Sequence, residues 1–173
     1  MKDQFIISCI SNKYKVKKLE ENDIDDIYNL CKNNPTYYKY CPPNVTKESI
    51  KEDMKALPIN KTLKDKFYVG LYDDEKLVAI LDLILDYPNS DSAFIGFFML
   101  DKKYQGKGVG SKIIEELLHY LKAIGYMQVE LAYVKNNTQS EKFWTKNKFE
   151  KTGKEVEKYG YIAVRMKRQL KDI

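Results

Sequence analysis

The chain alternates between short apolar runs and longer amphipathic ones, separated by polar segments that contain proline or glycine. Short runs in which apolar residues alternate with polar ones, or follow one another for a few positions, are typical of β-strands. Such runs occur at residues 14–19, 67–72, 77–85, 93–100, 129–134, 152–157 and 161–167. They predict a protein with a substantial β-sheet.

Two short helices are predicted between the first and second strands. Asp23 and Thr46 are residue types that cap helix N-termini, and Pro35 and Pro58 end the two segments. A tyrosine-rich loop, residues 37–43, lies between them. With one long helix before the fifth strand and one short helix after it, the predicted order is β-α-α-β-β-β-α-β-α-β-β.

A glycine-rich loop, residues 105–111, stands between the fourth strand and the longest helix. Apolar residues at helical spacing predict that helix; they are Val109, Ile113, Ile114, Leu117, Leu118 and Leu121. The first turn of a helix has unpaired N–H groups and a partial positive charge, and glycines allow phosphate oxygens to approach them. Four lysines, at positions 102, 103, 107 and 112, lie at the same place. The arrangement predicts a seat for a phosphorylated cofactor.

Three kinds of phosphate-binding loop have a glycine pattern close to that of this segment. A P-loop requires Lys and then Ser or Thr after its last glycine, whereas the order here is Ser111-Lys112. The dinucleotide fingerprint G-x-G-x-x-G is one residue longer, and its expected acid, represented by Glu130, lies inside the next strand rather than at its end. The pattern Gln105-x-x-Gly108-x-Gly110 resembles the acyl-CoA loop, Q/R-x-x-G-x-G/A, of the GNAT family of N-acetyltransferases.

A second motif supports the same resemblance. Residues 137–149, NTQSEKFWTKNKF, are similar to the family's later signature N-x-x-A-x-x-F-Y-x-K-x-G-F at the same spacing. The likeness extends over roughly residues 66–168 and is only general before that. It implies a single acyltransferase domain over residues 1–173, with a mixed α/β fold in which helices flank a central, mostly antiparallel twisted sheet.

The resemblance implies acetyl-CoA as co-substrate and assigns residues to it. Backbone groups of the fourth strand would pair with the pantetheine arm, the loop N–H groups would hold the pyrophosphate, and Asn137 would touch pantetheine or cap the helix that follows. The implied cofactor-binding residues are Met99, Leu100, Gln105, Gly106, Lys107, Gly108, Val109, Gly110, Ser111 and Asn137.

The implied reaction is direct attack of an amine on the thioester, without a metal. An alkylammonium has a pKa of about 10 and must lose a proton before it attacks, so a base is expected near the thioester. Many relatives carry a glutamate early in the strand before the glycine loop, but residues 93–96 contain no acid. Asp82, inside an apolar strand, is the candidate base because burial raises the pKa of a carboxylate. A salt-bridged aspartate without a catalytic role is the alternative interpretation.

A proton donor for the leaving thiolate is also expected. Family members often have a tyrosine where this chain has Trp144, and an indole N–H is not an acid near neutral pH. Tyr133 is the candidate replacement. The alternatives are that CoA leaves as a thiolate protonated by water, or that the chain binds acyl-CoA without catalysing transfer.

The composition limits the kinds of partner that the protein is expected to bind. The 30 basic and 25 acidic residues are interleaved and leave a net charge of +5, which gives nucleic-acid binding little support. The three cysteines match no metal spacing. No apolar run is long enough to cross a bilayer and the N-terminus lacks a signal-peptide layout, which predicts a cytoplasmic protein without a membrane partner. The Lys-, Asn-, Ile- and Tyr-rich usage suggests an AT-rich bacterial genome.

The acceptor is expected to be the amine of a small molecule. A protein N-terminus or lysine is the alternative acceptor, and homodimerisation is compatible with the family. Tyrosines of the loop at residues 37–40, with the early helices, occupy the region where relatives shape the acceptor site.

Overall fold

The computed structural model describes residues 4–158, 160–171 and 173, and its strands form one seven-stranded sheet. The strands are β1 (Lys15–Lys18), β2 (Lys66–Asp73), β3 (Lys76–Leu85), β4 (Ser92–Leu100), β5 (Gln128–Val134), β6 (Glu150–Lys158) and β7 (Tyr161–Gln169). The helices are α1 (Ile24–Lys32), α2 (Pro35–Tyr40), α3 (Lys47–Lys55), α4 (Val109–Ala123) and α5 (Thr138–Lys146).

The strand order is β1-β2-β3-β4-β5-β7-β6. Every neighbouring pair is antiparallel except β4 and β5, which run parallel and are joined by the crossover helix α4. The predicted mixed α/β fold with a mostly antiparallel sheet is therefore confirmed.

Helices cover both faces of the sheet because its central strands are apolar on both sides. On one face, α4 and α5 pack on side chains such as Leu81, Ile95 and Leu131. On the other face, α1, α2 and α3 pack on a smaller cluster that includes Ile80 and Met99. Along β5 every second residue is buried, because α4 and α5 cover one face of this strand and α1–α3 do not extend over the other.

The predicted helices are present, with two differences: one additional short helix and the position of one helix cap. The tyrosine-rich segment predicted as a loop contains the short helix α2, because Pro35 occupies its first turn, where a missing N–H costs no hydrogen bond. The sequence Thr138-x-x-Glu141 is typical of a capping box, but the cap lies one residue earlier: Asn137 caps α5, and its side chain accepts a hydrogen bond from the Ser140 N–H.

Candidate active site

The two parallel strands at the centre of the sheet separate along their length. β4 and β5 pair only from Ser92 with Gln128 to Ile95 with Leu131, although both strands continue beyond that point. A bulge lies at the same place, because Asp82 of β3 pairs with Phe97 while its neighbour Leu83 pairs with Ile95, which leaves Gly96 as the extra residue. Bulges of this kind are common beside active sites.

The register decides which backbone groups of β4 face the opening. The Asp101 N–H donates to the Val78 carbonyl oxygen at 2.8 Å, and hydrogen-bonded pairs alternate along an antiparallel ladder. The backbone groups of Met99 therefore point to β3, opposite Ile80, whereas those of Phe98 and Leu100 point to the β5 side. This corrects the expected pair Met99 and Leu100: the backbone groups on the open side belong to Phe98 and Leu100.

A cleft of about 350 Å³ begins at this opening. We call it the central cleft. Its wall is formed by the end of β4, the glycine loop, α5 and the junction between α1 and α2. The residues that line it include Asn34, Tyr37, Phe98, Met99, Leu100, Lys102, Gln105, Gly106, Gly108, Gly110, Ser111, Asn137, Phe143, Trp144 and Lys146.

The glycine loop has the backbone conformation that an anion-binding site requires. Gly106 and Gly108 have φ angles of 72° and 78°, and a Cβ built on either would meet no atom within 4 Å. Gly108 is the N-cap of α4, and the first helical hydrogen bond runs from the Lys112 N–H to the Gly108 carbonyl at 3.0 Å. Helix geometry therefore leaves the N–H groups of residues 109–111 without intrahelical partners, beside open space. The residues present fit a pyrophosphate.

Gly110 has a different role from Gly108. A Cβ at Gly110 would lie 3.2 Å from Cε2 of Phe143, so the absence of a side chain lets the start of α4 approach α5 closely. At the same contact, Nδ2 of Asn147 donates to Oγ of Ser111 at 3.2 Å. The first turn of α4 is thus held in place by α5.

An amide pair anchors the entry to the loop. Nε2 of Gln105 donates to Oδ1 of Asn34 at 2.6 Å and to the Leu100 carbonyl at 2.9 Å. Nδ2 of Asn34 donates in turn to the carbonyls of Leu30 and Leu100, at 2.9 and 3.3 Å. Asn34 precedes the first residue of α2, yet its side chain makes no capping hydrogen bond there. Sequence reasoning missed Asn34, since an Asn before Pro35 indicates a helix cap and not a link to a loop 71 residues away.

The lysines expected around the loop are not equivalent. Lys102 lines the central cleft, whereas the Nζ of Lys107 turns back to the Lys103 carbonyl at 2.8 Å. Lys146, near the end of α5, also lines the cleft and was not expected. Asn137 is buried at the cleft wall, where it caps α5, so the structure shows its capping role directly.

Asp82 lies beside the bulge and is buried. Its Oδ2 accepts a hydrogen bond from the buried Lys66 ammonium at 2.7 Å, and a Cβ at Gly96 would lie 2.7 Å from the same oxygen. Its Oδ1 is buried and has no hydrogen-bond partner among the described residues. Burial raises the pKa of Asp82, and the Lys66 charge opposes this rise. The carboxylate therefore occupies the volume into which a side chain at position 96 would project.

Tyr133 and Trp144 are placed differently with respect to the cleft. The Tyr133 hydroxyl interacts with Glu141 and Lys151, which form an ion pair, and burial raises its pKa. Tyr133 is not one of the described residues that line the central cleft, and neither is Asp82. Trp144 does line the cleft, with its ring 4.9 Å from that of Phe143.

Across residues 4–158, 160–171 and 173, no helix is long and apolar enough to cross a membrane. In the same part of the chain, no group of three or more His, Cys, Asp or Glu side chains is arranged to hold a metal ion.

Comparison with known proteins connects this geometry to a family. The sequence model of the Acetyltransferase (GNAT) family matches residues 24–149. A curated relative, an uncharacterised protein of Methanocaldococcus jannaschii, is 25% identical over 161 residues, covering 86% of this chain. The chain spans about a third of that relative's length, 33%.

Solved structures share the fold at low sequence identity. An acetyltransferase of Thermus thermophilus superposes with a TM-score of 0.72 at 18% identity, covering 91% of this chain and 97% of its own. The ribosomal-protein-S18-alanine N-acetyltransferase of Escherichia coli gives 0.65 at 15% identity, covering 91% and 94%. A PaiA N-acetyltransferase of Thermoplasma acidophilum, solved with coenzyme A, gives 0.64 at 17% identity, covering 90% and 98%.

Proposed function

The chain belongs to the Acetyltransferase (GNAT) family, and on that premise we propose that it transfers an acetyl group from acetyl-CoA to a primary amine. The observation that carries the proposal is the separation of β4 from β5 at Gly96, beside an open glycine loop at the start of α4. Together these offer exposed backbone groups for an extended chain and unpaired N–H groups for its phosphates.

In this proposal acetyl-CoA lies along the central cleft. Its pyrophosphate binds the N–H groups of residues 107–111 in the space that Gly106 and Gly108 leave open. The backbone groups of Phe98 and the N–H of Leu100 pair with the pantetheine, since the Leu100 carbonyl already accepts from Gln105 and Asn34. Lys102 and Lys146 line the cleft and balance phosphate charge. The thioester then lies near the bulge.

The chemistry follows from that position. The amine nitrogen attacks the thioester carbon, a C–N bond forms, the C–S bond breaks and CoA leaves as a thiolate. We assign Asp82 as the proton acceptor, because its carboxylate lies against Gly96 and its Oδ1 is buried without a partner among the described residues. Burial raises the pKa of Asp82, and the ion pair with Lys66 opposes that rise and so favours the ionised form that accepts the proton.

The thiolate requires a proton from another source. Tyr133 stays a predicted donor, and its pairing with Glu141 and Lys151 favours the alternative route, in which water protonates the thiolate. A Tyr133→Phe variant separates the two routes, because only a proton donor loses turnover when the hydroxyl is removed while the ring keeps its packing.

Small-molecule amines are the proposed acceptors, and two other functions have specific support. The shared fold with the Escherichia coli S18-alanine enzyme supports a protein acceptor. Trp144 at the usual tyrosine position supports a binding module without catalysis.

The test begins with calorimetric titration of acetyl-CoA into the wild type and into a Gly108→Glu variant. The wild type should bind and the variant should not, because a glutamate would fill the phosphate space with negative charge. Thiol release is then followed across a library of small amines and peptides with free N-termini. A folded wild type that does not bind acetyl-CoA would contradict the proposal, and binding without release for any amine would support the non-catalytic module.

A further inference from the structure

The sheet face that carries α1–α3 extends beyond these helices, next to the bulge. Val129 and Leu131 of β5 and Val164 and Met166 of β7 pack into the core under α4 and α5. The residues that alternate with these along each strand point to the opposite face of the sheet. Three of them are only half-buried: Glu130 and Ala132 of β5 and Arg165 of β7. With Phe94 and the exposed Gly96 of β4, they form a surface that we call the acceptor face.

Arg165 is held on this face by aromatic rings. Its guanidinium carbon lies 4.7 Å from the centre of the Phe94 ring and 5.8 Å from that of Tyr87, and its Nη2 is 3.4 Å from the Tyr87 hydroxyl. The Nη2 contact is a hydrogen bond to Tyr87, and a guanidinium that lies over a ring can direct its remaining N–H groups away from that ring. Among the ion pairs of the described residues, none involves Arg165. This half-buried cation is thus held by two aromatic rings and has no ion-pair partner within residues 4–158, 160–171 and 173.

The position of the guanidinium relates it to the reaction. Arg165 pairs with Ala132, the residue that follows the last contact between β5 and β4. Its guanidinium reaches across to Phe94, which precedes Gly96 by two residues, or about 7 Å of strand. Asp82 lies against Gly96. Glu130 and Lys167 also project from this face, and Glu130 pairs across the strands with both Phe94 and Lys167. Oε1 of Glu130 accepts a hydrogen bond from Nε2 of Gln128 at 3.3 Å.

We propose that Arg165 binds an oxyanion, most simply a carboxylate, on the acceptor whose amine reacts beside Gly96. The acceptor class is therefore a small amine that also carries a carboxylate, as free amino acids do, rather than a polyamine or a peptide N-terminus. Arginine suits this role because its planar fork matches a carboxylate with two parallel hydrogen bonds. This inference rests on the proposed function.

The experiment uses acceptor pairs that differ only in the anion. Glycine, β-alanine and γ-aminobutyrate are compared with their amides in an acetyl-CoA-dependent thiol-release assay. The wild type should prefer the best carboxylate over its amide by about tenfold or more in kcat/KM, the effect of a charge-assisted hydrogen bond. In Arg165→Gln the KM for the carboxylate should rise by a similar factor, about tenfold, while the amide is unaffected.

Two further variants separate recognition from general effects. Arg165→Lys keeps the positive charge but loses the planar pair of N–H donors, so its KM for the carboxylate is expected to lie between those of the wild type and Arg165→Gln. Lys15→Gln removes an exposed cation of β1, which is separated from β7 by four other strands of the sheet, and controls for net charge. Thermal unfolding by circular dichroism shows whether each variant is folded.

The outcomes distinguish this inference from the function on which it rests. Equal use of acids and amides by the wild type, or better use of polyamines or peptides, overturns the role of Arg165 and leaves the acetyltransferase intact. If no amine is acetylated, the proposed function fails. A calorimetric titration of the three carboxylates into CoA-saturated wild type and Arg165→Gln then decides the anion site: binding only by the wild type supports it, and equal or absent binding refutes it.

Discussion

The conformation of Gly108 predicts two separable losses in a Gly108→Ala variant. The first loss is in stability. Gly108 has a φ of 78°, which disfavours any residue with a Cβ by about 1 kcal/mol, and the added methyl group would meet no protein atom within 4 Å. Strain without a clash should therefore lower the free energy of unfolding by about 1 kcal/mol and leave the fold unchanged.

The second loss is in acetyl-CoA affinity. The methyl group would occupy the open space beside the first-turn N–H groups of α4, where the phosphates are proposed to bind. Losing one charge-assisted hydrogen bond costs about 2 kcal/mol, which corresponds to about a thirtyfold increase in Kd. Gly153 of β6 provides a matched control, since its φ is 81° and its Cβ would also meet nothing.

Urea unfolding and calorimetric titration of Gly108→Ala and Gly153→Ala measure the two losses separately. Both variants should lose about the same stability, roughly 1 kcal/mol, and only Gly108→Ala should bind acetyl-CoA more weakly. Equal acetyl-CoA affinity in the two variants would refute the assignment of the loop as the phosphate seat. A Gly108→Ala protein that fails to fold would refute the claim that the added methyl group meets open space.

Three further predictions concern the bulge and the loop anchor. Asp82→Asn should lower kcat/KM by about 10²–10⁴-fold near neutral pH, with recovery towards about pH 10 as the acceptor loses its own proton; a loss that is the same at every pH points to a structural role instead. Lys66→Met leaves the Asp82 carboxylate buried without its partner, at a cost of about 3–5 kcal/mol. Because burial raises the pKa of Asp82, the native state holds its proton to higher pH than the unfolded chain does. This cost should therefore grow in urea titrations as the pH rises above about 4, the usual pKa of an aspartate, and a cost that is the same at every pH would contradict it. Asn34→Ala should weaken acetyl-CoA binding by about tenfold, the value of one or two hydrogen bonds, and the exposed Asn29→Ala should not; equal affinities would show that the amide link does not support the loop.

The strands and the long helix could be predicted because local pattern determines them. The apolar residues of α4 lie on one helical face, and the glycine before Val109 removes any doubt about where the helix begins, which the structure confirms. The cap of α3 is also local: Thr46 accepts from the N–H of Ser49, three residues away. By contrast, Asn137 and Thr138 are both capping residue types, and only the backbone path shows that Asn137 is the cap.

The partners of the site residues could not be predicted, because they are brought together by the sheet. In the sequence, Lys66 is only a polar residue at the start of a strand. The pairing of β2 with β3 brings its ammonium into an ion pair with Asp82. Arg165 alternates with buried residues of β7 and looks like an ordinary solvent-facing side chain until Phe94, 71 positions earlier, is found beneath it. The Met99 N–H and C=O groups point to β3 because of the register between β3 and β4, and a sequence motif carries no information about register.

The contact between Asp82 and the empty position at Gly96 has a consequence for how such enzymes diverge. One small volume beside the bulge can receive a carboxylate from either of two adjacent strands, because cross-strand neighbours project side by side. An acid on β4 in one protein and an acid on β3 in another would then occupy the same place in space, although they stand in different columns of a sequence alignment. A survey that scores relatives by the residue in β4 alone would class this chain as lacking an acid, whereas a survey by position in space would not.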